Sequence, residues 1–109
     1  MTGPARGIGL ATAKRFLAEG WRVALLGIDD ETLKRTRAAL PSSDAIVAVH
    51  CDVADTGGVA RAIAIIAEKF GRLDALVNNA GIAIFEPILD LSYEDWSRVL
   101  AVNLTGPFL

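Results

Sequence analysis

A chain of 109 residues is about one small domain, and folding buries roughly two-thirds of the surface that such a chain exposes when unfolded. With 52% hydrophobic residues and a formal net charge of -2, the composition excludes a disordered tail and a strongly basic nucleic-acid binder. The lone Cys51 has no partner for an internal disulfide, no Cys/His cluster has metal-ligand spacing, and no apolar run approaches the roughly 20 residues that span a bilayer. A core-rich protein of the reduced cytoplasm is expected, with no metal, no nucleic acid and no membrane among its partners.

The chain opens on glycines at Gly3, Gly7 and Gly9, followed by Leu10, Ala13, Phe16 and Leu17 at helical spacing and by Gly20 as a stop. Val23 to Ile28 is short and continuously apolar, the pattern of a parallel strand covered on both faces. Glu31 to Leu40 is charged and amphipathic and ends at Pro41; Ala45 to Val49 is a second buried strand. Asp55 is placed to cap a helix that runs to Phe70, with Gly71 as its C-terminal cap and Val59, Ile63, Ile66 and Phe70 on the side facing a sheet. Leu73 to Val77 predicts a third strand, leading into "NNAG". Beyond Pro87, Ser92 and Asp95 resemble a capping box, opening a helix through Trp96, Leu100 and Leu104.

Alternating helices and strands imply an α/β fold, a doubly wound parallel sheet of Rossmann type, with residues 1–109 forming one partial dinucleotide-binding domain. In a strand-to-helix turn, Gly3 can take a tight backbone conformation, Gly7 lets a pyrophosphate approach, and Gly9 permits close packing of the helix. The helix N-terminus then presents N–H groups and a favourable dipole to the phosphates. A glycine-rich turn with no ligand is the alternative that the glycines alone leave open.

"TGPARGIG", "CDV", "NNAG" and "VLAVNLTGPFL", in this order and at these distances, resemble the short-chain dehydrogenase/reductase family, of which the 109 residues match only the first, cofactor-binding part. The resemblance implies an NAD(P)-dependent oxidoreductase that moves a hydride between the nicotinamide and a secondary alcohol or ketone. It places the pyrophosphate and ribose near Gly3, Arg6, Gly7, Ile8 and Gly9, the adenine at Asp52 and the Val53 backbone, and the adenosine ribose and sheet centre at Asn79, Ala80 and Gly81. Asn78 is then a strand-end amide tying neighbouring strands, and Asn103 matches an asparagine that holds a water in a proton-relay path. A helical asparagine bonded to a loop is the plainer reading of Asn103.

Cofactor choice is nearly balanced. In the family's register Gly27 occupies the place of an acid that favours NAD, and Ile28 that of a base that favours NADP. Asp29 lies 20 residues after Gly9, within the distance of a ribose-binding acid, and Asp30 adds charge beside it, whereas Arg6 could meet a 2′-phosphate. The balance leans slightly to NAD. Neither His50 beside Cys51, whose side chains point to opposite faces, nor Trp21 and Trp96, which lack a basic stripe, is expected to act in chemistry.

The family's general acid/base is a tyrosine with a lysine four residues later and a serine nearby. Here Tyr93 is followed four positions on by Ser97, and Lys14, Lys34 and Lys69 stand elsewhere. The resemblance puts the catalytic residues after Leu109 and a central first strand before Thr2, so the 109 residues alone are expected to be inactive. They are also expected to fold weakly: about four missing aliphatic side chains at roughly 1.5–3 kcal/mol each rival the 5–15 kcal/mol net stability of a domain. A non-catalytic dinucleotide-binding or sensing module is the rival function, and a homo-oligomer is expected of the complete protein, through the helix beginning at Ser92.

Overall fold

Three helices are started by short polar side chains that satisfy N–H groups left without intrahelical partners. The computed structural model describes residues 1–41 and 43–109. Asp29 caps the second helix, α2 (Asp30–Ala38), accepting from the Thr32 amide at 2.6 Å. Asp55 caps α3 (Thr56–Phe70) through the amides of Gly57 and Gly58, and Gly71 ends it at φ 74°. Ser92 caps α4 (Tyr93–Leu100) through the Asp95 amide; Asp95, a methylene shorter than Glu, returns its bond to the Ser92 hydroxyl. The first helix, α1 (Gly7–Ala18), has no side-chain cap, and no acidic residue stands in its first turn.

Two strands, β1 (Val23–Gly27) and β2 (Ile46–His50), pair in parallel with Val23 opposite Ile46 and Gly27 opposite His50. Alternation along β1 divides the core into two layers. Ala24 and Leu26 pack with Val49, Cys51, Ala62, Ile66 and Phe70 beneath α3. Val23 and Leu25 pack with Ala13, Leu33, Leu40 and Ile46 beneath α1 and α2. Helices on both faces of a parallel sheet bear out the doubly wound reading.

Met1–Gly3 lies beside β1 as a short third rail: Leu26 N–H donates to the Met1 carbonyl and Gly3 N–H to the Leu26 carbonyl, each at 3.0 Å. On its other side Thr2 N–H donates to the Val77 carbonyl at 3.0 Å. The expected strand at Leu73 to Val77 does not form among the described residues. Its apolar sequence suits a buried strand, but it meets only this three-residue rail, and Leu73 and Leu76 remain 53% and 58% exposed.

Three further expectations are corrected. The buried line of α3 is Gly58, Ala62, Ile66 and Phe70, while Ile63 is 42% exposed. Small residues let this helix sit close to β2, and Ile63 turns to an apolar groove bounded by Met1, Leu73 and Leu76. The last helix is also not one α-helix: α4 passes into a π-helical turn, Ala101–Thr105, and then a short α5, Gly106–Phe108. The tie between strand ends is made by Asn79, and Asn78 is exposed.

Candidate functional site

The parallel strands end on one side of the molecule, where open α/β sheets hold ligands. There Gly27 and Ile28 follow β1, Cys51 to Ala54 follow β2, and Ala80 to Ile82 approach from the neighbouring segment. With Gly3, and with Arg98, Ala101 and Val102 of the helical wall, they line a cleft of about 300 Å³.

The glycine turn is built for close approach. Gly3 and Gly7 adopt φ 63° and 54°, a region that side chains disfavour. A Cβ at Gly9 would collide with the Gly3 carbonyl oxygen and stand 2.6 Å from the Asn79 side-chain nitrogen, so the start of α1 must be bare to lie against the turn. A Cβ at Gly7 would meet nothing within 4 Å. Arg6, Gly7 and Ile8 are exposed there, around the uncapped first turn of α1.

Thr2 locks this turn to "NNAG". Its buried hydroxyl accepts from the amides of Asn79 at 3.0 Å and Ala80 at 2.9 Å. The Asn79 side chain donates back to the carbonyls of Thr2 at 3.2 Å and Gly3 at 2.8 Å. Four hydrogen bonds thus hold two segments 77 residues apart in sequence. Thr2 was legible only as the end of a strand.

Asp52 shapes its own turn, one carboxylate oxygen accepting from the Ala54 amide at 2.9 Å. The helical wall closes on this turn at Gly106, where a Cβ would come within 3.0 Å of Val53 Cγ2 and 3.1 Å of the Val53 carbonyl. Asn103 is bonded to a loop: its amide donates to the Ile82 carbonyl at 2.8 Å and accepts from the Ile82 N–H at 2.9 Å.

Asp29 stands outside the residues lining the cleft. Hydrogen bonds from the Thr32 hydroxyl and amide hold its carboxyl below the usual carboxylate range. His50 Nδ1 lies 3.0 Å from Asp30 Oδ1, both exposed, while the adjacent Cys51 is buried and burial pushes its thiol up. The two side chains part as strand alternation requires. Trp21 stacks edge-on against Phe16 at 5.1 Å, a packing contact.

The model of the short chain dehydrogenase family matches residues 1–109. The chain belongs to the short-chain dehydrogenase/reductase family. A short chain dehydrogenase/reductase of Macrophomina phaseolina is 42% identical over the whole chain, which covers 64% of that relative. Meso-2,3-butanediol dehydrogenase of Serratia marcescens is 41% identical over 97% of this chain, or 42% of its own length. Among solved structures, a 3-ketoacyl-(acyl-carrier-protein) reductase from Brucella melitensis, complexed with NADH, superposes with a TM-score of 0.92 at 32% identity over 99% of this chain and 44% of that one. The chain thus spans between two-fifths and two-thirds of these family members, and what it holds is the Rossmann part of the fold with its parallel sheet.

Proposed function

We propose that this chain is the cofactor-binding part of an NAD(P)-dependent oxidoreductase that transfers a hydride between the nicotinamide and a secondary alcohol or ketone. The observation that carries the proposal is the cleft where Gly3, Asp52, Val53, Ala80 and Gly81 converge at the ends of two parallel strands. The residues fit the dinucleotide: α1 offers uncapped N–H groups with no competing carboxylate, over a turn left open at Gly7. When bound, the dinucleotide supplies the hydride chemistry.

In this reading the first turn of α1 with Arg6, Gly7 and Ile8 holds the pyrophosphate. Asp52 and the Val53 backbone hold the adenine, and Asn79, Ala80 and Gly81 line the ribose side. Asn103 pins the Ile82 backbone, and thereby the loop that borders the reacting end of the cleft. Gly27 and Ile28 present neither acid nor base to the ribose, and Asp29 is engaged at a helix cap, so the slight lean to NAD rests on negative charge at Asp29 and Asp30. The protein works in the cytoplasm on a small alcohol or ketone, without nucleic acid or membrane, and as a homo-oligomer when complete. Among the described residues no helix is long and apolar enough to cross a membrane.

The rival reading is a dinucleotide-binding module without catalysis. Thermal unfolding with and without millimolar NAD or NADP tests the shared core of both readings. A ligand that binds only the folded state raises the midpoint, so an upward shift with either cofactor is expected and no shift with both overturns the proposal. Oxidation of a secondary alcohol, followed as NADH or NADPH absorbance on a protein that extends this chain to the length of its relatives, then separates enzyme from module.

A further inference from the structure

Arg98 stands in the last turn of α4 and forms part of the cleft wall, one helical turn before Ala101 and Val102. Asp52 and Val53 line the same cleft. The ion pairs among the described residues join Arg15 to Glu19, Lys34 to Glu31, His50 to Asp30, Arg61 to Asp55 and Arg72 to Asp74. Arg98 therefore has no carboxylate partner there. Stabilising a helix C-terminus does not account for it either, because α4 continues without a break into the π-helical turn and its carbonyls have successors to bond.

The surroundings define what such a cation can hold. Ile28, Val53 and Val102 give the cleft apolar surface, and Asp52 is its carboxylate. One Asp52 oxygen is taken by the Ala54 amide, leaving acceptor capacity for a donor on a ligand. An apolar slot with one hydrogen-bond acceptor and one planar cation matches a purine carrying an exocyclic amine: the amine donates to Asp52 and the guanidinium lies over the ring face. The uncapped α1 terminus, the place suited to phosphate, belongs to the other strand-end turn.

We propose that Arg98 is a cofactor-binding residue that holds the adenine ring of the dinucleotide by lying over its face. This deepens the function proposed above and rests on it. Arg98 discriminates by ring rather than by charge, so it acts on the adenosine half of the cofactor and leaves the nicotinamide half untouched.

Isothermal titration of the protein with ADP-ribose and with nicotinamide mononucleotide tests this. Arg98→Ala is expected to weaken ADP-ribose binding about 2- to 5-fold, the range of an exposed cation–π contact. Arg98→Lys, which keeps the charge and loses the plane, should fall between Ala and the unsubstituted protein, and nicotinamide mononucleotide binding should not change. Arg98→Gln serves in place of Ala if circular dichroism shows the Ala variant misfolded. Equal ADP-ribose affinity in the folded variant overturns the proposal. So does an equal loss for both ligands, or a loss confined to 2′-phospho-ADP-ribose, since either makes Arg98 a phosphate contact. Failure of the unsubstituted protein to bind ADP-ribose overturns the dinucleotide reading itself.

Discussion

Both polar atoms of the Asn103 side chain are bonded to the backbone of one residue, Ile82, whose N–H it accepts from and whose carbonyl it donates to. Asn103 sits in the widened π-helical turn and Ile82 one residue beyond "NNAG", so this pair fastens the helical wall of the cleft to its floor. Widened turns of this kind recur at functional sites, and here the turn lies between α4 and the glycine that meets Val53.

Asn103→Leu removes both bonds while keeping the side chain's size. At about 0.5–1.5 kcal/mol for each neutral hydrogen bond, a loss of roughly 1–3 kcal/mol is expected. Urea unfolding monitored by tryptophan fluorescence would detect it. Asn103→Asp keeps an acceptor for the Ile82 N–H but sets a carboxylate against the Ile82 carbonyl, so it should recover only part of the loss.

Gly9→Ala should be more damaging than Gly20→Ala. The new methyl at position 9 collides with the Gly3 carbonyl and the Asn79 amide, an overpacking cost of about 1–3 kcal/mol. At Gly20, with φ 82° and open space around a Cβ, only backbone strain applies. Dinucleotide affinity from the same titrations should fall for the first variant and hold for the second.

Asp29 couples α2 to pH. Its carboxyl is held below the usual range by Thr32, so the folded state binds the proton more weakly than the unfolded chain does. The contribution to stability is complete above the unfolded pKa of about 3.9 and disappears as pH falls through the lower folded value. Asp29→Ala should lower stability at neutral pH, because the Thr32 amide loses its acceptor. Denaturation curves at pH 7 and pH 2.5 should show the gap between variant and parent closing in acid.

Cys51 should resist alkylation. Its thiol is buried and burial raises its pKa, with Asp52 and Asp55 acting in the same sense, so little thiolate is present near neutrality. Labelling by iodoacetamide at pH 7.5 should be slow in the folded protein and rapid in denaturant. Fast labelling without denaturant would mean that the loop after β2 opens readily.

Much of the architecture was legible because local signals agree with it. Asp55 and Ser92 announce helix starts, and the apolar runs at Val23 and Ile46 announce strands buried on both faces. Leu73 to Val77 carries the same signal and does not form a strand, since a strand needs a neighbour to complete its ladder and periodicity says nothing about the neighbour. Ile63 shows the same limit in a helix: its spacing fits the sheet side, but Gly58 and Ala62 set which stripe comes closest.

For the site, the glycine turn was legible from spacing, because a turn that passes close to a ligand restricts residue type wherever it occurs, whereas Asp52, Val53 and "NNAG" were named only through the resemblance to the family. The sequence by itself determined the order of the first three helices and two strands, the caps at Asp55, Gly71 and Ser92, the glycine turn and the family. Only the tertiary structure decided that the Thr2 hydroxyl binds "NNAG", that Asn103 is spent on Ile82, that Asp29 is spent on its own helix, and that Arg98 faces the cleft. Such roles depend on which polar atoms from distant segments come within about 3 Å of one another. Closure of the whole chain sets that distance, and no local pattern encodes it.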